Sequence, residues 1–116
     1  MGPLAANNYA NSLGRLGRFE EAKDLLRKTT PAARRALGES NLTTLRMRRK
    51  YAETLYKDPT ATLGDVREAV ATLEDAHRTA RRVLGGAHPT VLQMERNLRV
   101  MRTTIRARAT AVAGAR

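Results

Sequence analysis

Few residues in this chain are equipped for chemistry. His77 and His88 are the only histidines, and there is no cysteine. Neither histidine stands with a second histidine or a set of carboxylates at metal-ligand spacing, so no metal centre is expected. Glu20-Glu21 and Glu74-Asp75 are paired acids. On a helix, neighbours diverge by about 100°, so these pairs read as solvated faces and not as acid–base dyads. No Gly-rich phosphate loop and no serine elbow occurs. The sequence therefore points to no enzymatic activity and no cofactor.

What remains is positive charge. Lysine and arginine number 22 against 11 acids, a net charge of +11, which favours acidic partners, whether protein, nucleic acid or membrane surface. Arg48-Arg49-Lys50, Arg34-Arg35 and Arg81-Arg82 concentrate it. Aromatic residues are only 3% of the chain, and Phe19, Tyr9 and Tyr51 are expected in the core, which weakens the case for single-strand stacking. A basic, helical nucleic-acid-binding protein is the alternative reading that the charge by itself supports.

The elements that must position these residues are helical. The apolar set is Leu, Ala, Val and Met, which favours helices over strands, and 116 residues suffice for one domain with a modest core. No uncharged apolar stretch is long enough to span a bilayer. The opening MGPLAANNYANSL lacks the basic and apolar regions of a secretory signal. With no disulfides, an intracellular, cytoplasmic protein is expected.

The chain repeats itself. Leu37-Gly38-Glu39-Ser40-Asn41-Leu42-Thr43-Thr44-Leu45 returns 47 residues later as Leu84-Gly85-Gly86-Ala87-His88-Pro89-Thr90-Val91-Leu92. Ala33-Arg34-Arg35, Glu21-Ala22 and Leu26 recur at the same offset as Ala80-Arg81-Arg82, Glu68-Ala69 and Leu73. Tyr9-Ala10-Asn11-Ser12-Leu13 resembles Tyr51-Ala52-Glu53-Thr54-Leu55 at an offset of 42, so the second unit holds an insertion, placed in the turn-rich Asp58-Pro59-Thr60-Ala61-Thr62. Self-similarity at this period marks a solenoid of stacked helix pairs.

Each unit reads as two helices. The first unit has helices over Leu4–Leu16 and Phe19–Leu37, separated at Gly17 and ended by Gly38. The second has Leu42–Lys57 and a helix opened by Gly64-Asp65, with Asp65 as N-cap, running to Leu84. A fifth helix begins near Pro89, continues to about Ala111, and frays after Arg108 towards Ala113-Gly114-Ala115-Arg116. Pro31 lies inside the second helix and predicts a kink near Thr29-Thr30, not a break. The apolar stripe of the last helix is Val91, Leu92, Leu98, Met101 and Ile105, opposite a solvated face of Arg96, Arg99, Arg102, Arg106 and Arg108.

These features resemble tetratricopeptide repeats, specifically the longer repeats of kinesin-light-chain-like proteins. The match rests on Ala10 and Ala52 in the first helices of the units, Ala22 and Ala69 in the second, the run Gly17-Arg18-Phe19-Glu20-Glu21-Ala22, and the linker from Leu84 to Leu92. Thr29, Pro31 and Arg99 depart from the family pattern. The resemblance implies an all-α, right-handed superhelical stack of antiparallel helix pairs, about five helices in one domain. Its parts are repeat 1 over 4–41, repeat 2 over 42–88 and a terminal, capping helix over 89–111. Ala10 should then meet Ala22, and Ala52 should meet Ala69.

The resemblance also implies a function: a protein–protein interaction scaffold whose first helices line a concave groove for a partner peptide. The matching positions are Asn7, Asn8, Asn11 and Arg15, then Arg46, Arg49, Lys50, Glu53 and Lys57, then Arg96 and Asn97. An amide both donates to and accepts from a peptide backbone, and arginine grips a carboxylate with two N–H groups. The implied partner is an acidic segment of another protein. Self-association, or a place within a longer repeat array, is the further reading that an incomplete solenoid allows.

Overall fold

The computed structural model describes residues 1–114, and among these there are five helices and no strand. They are α1 (Pro3–Arg15), α2 (Phe19–Leu37), α3 (Leu42–Lys57), α4 (Leu63–Leu84) and α5 (Pro89–Gly114). Consecutive helices pack on one another across short turns, which makes α1–α2 and α3–α4 antiparallel hairpins. In addition α1 touches α3 and α3 touches α5, while α2 and α4 stay apart among the described residues. The stack therefore closes on its odd-numbered helices and opens on the even-numbered ones, so α1, α3 and α5 form its concave side. Its principal extents are 49 × 31 × 21 Å.

The ends of the helices follow local chemistry. Gly38 and Gly85 end α2 and α4, both at φ +87°, a backbone region that only glycine adopts without strain. Asn41 and His88 stand 47 residues apart and do the same work. Asn41 Oδ1 accepts from the Thr43 N–H at 2.8 Å, and His88 Nδ1 accepts from the Thr90 N–H at 3.1 Å. Each supplies an acceptor to a helix start that would otherwise have free N–H groups.

Five local expectations need correction. The N-cap of α4 is Thr62, not Asp65. Thr62 Oγ1 accepts from the Asp65 N–H and the Asp65 carboxylate accepts from the Thr62 N–H, a capping box in which Asp65 takes the third position. Tyr9 is 47% exposed and does not join the core, and Leu92 is 40% exposed although its stripe was expected to be buried. Arg108 is not simply solvated, because it donates to the Ala61 carbonyl at 2.8 Å. Helix α5 continues past Ala111 to Gly114, and Ala115 and Arg116 lie outside the described residues. Helix α2 runs unbroken through Pro31, four residues after Arg27, whose carbonyl the proline ring cannot serve. Two residues earlier, Thr29 Oγ1 donates to the Leu25 carbonyl at 2.7 Å.

Two apolar clusters form the core. The smaller joins Ala6, Ala10, Leu26, Ala33 and Met47. The larger runs from Leu45, Ala52 and Leu55 through Val66, Ala69 and Leu73 to Val91, Met94, Leu98 and Met101. Tyr51 packs against both. Its hydroxyl accepts from Arg27 and donates to Glu68, and the Arg27 guanidinium lies 5.9 Å from its ring centroid. Ala10, Ala22, Ala52 and Ala69 are fully buried, as required where helix backbones approach closely.

Candidate functional site

The concave side is built around one carboxylate. Glu53 projects from α3 with Lys50 one turn before it and Lys57 one turn after, so both reach it along the same helical face. Lys50 Nζ stands 2.8 Å from one Glu53 oxygen, Arg49 2.9 Å from the other, and Lys57 at 3.7 Å. Burial alone would push the Glu53 carboxyl up. The hydrogen bond from Lys50 and the charges of Lys50, Arg49 and Lys57 outweigh it and hold the group below the usual carboxylate range.

Lys50 also donates to Asn11 Oδ1 on α1 at 2.9 Å, which ties α1 to α3 across the concave surface. Beside this bridge lies a cleft of about 270 Å³ lined by Asn11, Gly14, Arg15, Phe19, Lys50, Glu53, Thr54 and Lys57. Five of the eleven residues expected to line the groove therefore meet in one place: Asn11, Arg15, Lys50, Glu53 and Lys57. They do so with a neutralising carboxylate in their midst.

The other six lie outside this cleft. Arg49 is held by Glu53. Asn8 is exposed, and its carbonyl accepts from Ser12. Asn7 on α1 and Asn97 on α5 are half-buried, each with a buried side-chain oxygen that has no hydrogen-bond partner. That absence holds among the described residues, and an unmet buried acceptor costs free energy. Arg46 on α3 and Arg96 on α5 are exposed and have no carboxylate within ion-pair distance among the described residues. Of the candidate groove residues, the cations with no ion pair among the described residues are thus Arg15, Arg46 and Arg96, and none of them belongs to the Arg48-Arg49-Lys50 run.

Arg48 points the other way. It is buried and sits 2.7 Å from Asp75 on α4, and its hydrogen bond holds the Asp75 carboxyl below its ordinary range. Arg34 pairs with Glu39, just past the end of its helix. Arg34, Arg48, Arg49 and Lys50 are thus tied into ion pairs, while Arg35, Arg81 and Arg82 are exposed and have none among the described residues. A buried ion pair, Lys23–Asp58, and the contact of His77 Nε2 with Glu95 at 3.1 Å join elements far apart in sequence. No pattern in the chain announced them. Among the described residues no group of three or more His, Cys, Asp or Glu side chains could hold a metal ion, and no helix is long and apolar enough to cross a membrane.

A family model for the tetratricopeptide repeat matches residues 4–41 and 61–90, more than half of the chain. The kinesin-light-chain-like subtype is compatible with that match. No curated protein and no solved structure matches the chain.

Proposed function

The chain belongs to the tetratricopeptide repeat family, and we propose that it binds an acidic segment of an intracellular partner protein along the concave surface of α1, α3 and α5. Repeats of this family generally mediate protein–protein interaction and are typically non-catalytic scaffolds. The observation that carries the acidic preference is the charge balance of the concave helices. Among the described residues their acids are Glu53 and Glu95: Glu53 meets Arg49, Lys50 and Lys57, and Glu95 is engaged in a hydrogen-bonding contact with the His77 ring. Arg15, Arg46 and Arg96 are left for a carboxylate from outside.

In this reading Glu53 sets the orientation of the cleft instead of binding the partner. It fixes Lys50 against Asn11 and keeps the charge of the cleft moderate, so the groove prefers acidic peptides without becoming an indiscriminate anion trap. The region 42–88 acts as the central repeat, and α5 acts as the cap that closes the stack.

Titration of a labelled Glu/Asp-rich peptide, with an uncharged peptide and a DNA duplex as controls, tests this. The acidic peptide should bind, and the double variant Arg15→Glu, Arg96→Glu should weaken it by about tenfold. The variant Glu53→Gln, which releases Arg49 and Lys50, should strengthen it. Equal peptide binding by all three proteins would reject the groove. DNA binding that is tighter than peptide binding and persists at about 0.15 M salt would favour a nucleic-acid-binding protein instead.

A further inference from the structure

The turns of the stack fall on two edges. At one of them α2 and α4 end and α3 and α5 begin. There the chain writes the same phrase twice, Arg34-Arg35-Ala36-Leu37-Gly38 and Arg81-Arg82-Val83-Leu84-Gly85, 47 residues apart. The two copies share one backbone shape. Each ends on a glycine at φ +87°, whose N–H bonds back at 3.0 Å to the carbonyl of the first arginine. Equivalent side chains therefore leave the same edge of successive helix pairs.

Charge is sorted between the edges. Over 34–41 and 81–88 the lysines, arginines and acids are four arginines and Glu39. The turns of the opposite edge, over 14–21 and 57–65, hold three basic residues and four acids. Glu39 pairs with Arg34, but its counterpart 47 residues on is Gly86, so Arg81 lacks that partner. The helix dipole favours a cation in the last turn and accounts for where the arginines stand. It gives no reason for Leu37 and Val83, exposed beside them at 42% and 45%. Nor is this the bare end of a stack: Arg35, Ala36 and Leu37 are exposed although the second helix pair packs against the first.

We propose that this edge rests on an anionic membrane surface, with the arginines among lipid phosphates and Leu37 and Val83 at the boundary of headgroups and acyl chains. The apolar side chains select lipid over nucleic acid. A phosphate backbone would use the arginines and leave Leu37 and Val83 in water, and neither phrase has an aromatic side chain to stack on a base. A lipid interface uses both kinds of side chain. Among the described residues no helix is long and apolar enough to cross a membrane, so the attachment is peripheral. The concave surface is made of helix sides and this edge of helix ends, so a chain lying on lipid keeps its groove open.

Cosedimentation of the full chain with vesicles of equal parts phosphatidylserine and phosphatidylcholine, and with phosphatidylcholine alone, tests the proposal, each variant being checked for helicity by circular dichroism. The wild type should bind the mixed vesicles and not the neutral ones, and less as salt is raised. Arg35→Ala with Arg82→Ala should weaken binding by about fivefold per arginine. Val83→Ser should weaken it by about threefold. Arg67→Ala with Arg106→Ala removes as many exposed arginines away from this edge and should change it far less. A wild type with no preference for the anionic vesicles overturns the proposal, as do equal losses in the two double variants or a Val83→Ser protein that binds like the wild type. Tighter binding to a DNA duplex at about 0.15 M salt, weakened by Arg35→Ala with Arg82→Ala but not by Val83→Ser, would assign the edge to nucleic acid and overturn it too.

Discussion

The Lys23 ammonium lies 3.2 Å from the Asp58 carboxylate, with both side chains at least nine-tenths buried. The contact joins α2 to the turn between α3 and α4, so it fixes how the second helix pair sits on the first. Thr60 donates to the same carboxylate through both its backbone N–H and its hydroxyl. Those bonds, with Lys23, hold the Asp58 carboxyl below its ordinary range, while hydrogen bonds to Glu20 and then Asp58 raise Lys23.

Removing one partner leaves the other buried without its counter-charge. Asp58→Ala should therefore destabilise the fold by about 1–3 kcal/mol. Chemical denaturation measures it. A loss well below that range would mean that water or Glu20 satisfies Lys23 equally well.

The same arrangement predicts the response to acid. Glu53, Asp58, Asp65 and Asp75 are all held below their ordinary values in the folded protein. The unfolded chain then binds protons more readily, so stability rises with pH through the carboxylate range. Their contribution is fully present above about pH 4–5 and is lost as pH falls through the depressed folded values. Melting temperature should be level above that point and drop below it, less steeply in Asp58→Asn. A melting temperature unchanged down to about pH 3 would contradict these interactions.

Ala52 on α3 and Ala69 on α4 are fully buried in one cluster. Ala69→Leu adds atoms where there is no room and should cost about 1–3 kcal/mol. Thermal unfolding of the variant checks it, and an unchanged melting temperature would show that the two helices meet elsewhere.

Val91, Met94, Leu98 and Met101 tie α5 into the larger cluster. Each contributes about 1.5–3 kcal/mol on burial, a sum comparable with the whole stability of about 5–15 kcal/mol expected for a domain of this size. A chain ending at residue 88 should lose cooperative unfolding by circular dichroism. A sharp transition at the parent temperature would show that α5 is dispensable.

The sequence by itself determined the number of helices, their approximate bounds and the repeat that relates them. Those depend on local matters: 3.6-residue periodicity, glycines at positive φ, a proline at a helix start. The small residues Ala10, Ala22, Ala52 and Ala69 were legible as close-packing sites through the resemblance to tetratricopeptide repeats. The charge run Arg48-Arg49-Lys50 was equally visible, but its meaning was not, because neighbours on a helix point about 100° apart. Only the tertiary structure decided that Arg48 turns to Asp75 on α4, while Arg49 and Lys50 turn to Glu53 and Lys50 reaches back to Asn11. Tyr9 and Tyr51 occupy equivalent places in the repeat, yet one is 47% exposed and the other lies between two clusters. Similar local sequence places both on the same face of a helix. Whether that face is buried depends on whether another helix pair stands in front of it, and that is a property of the stack, not of the segment.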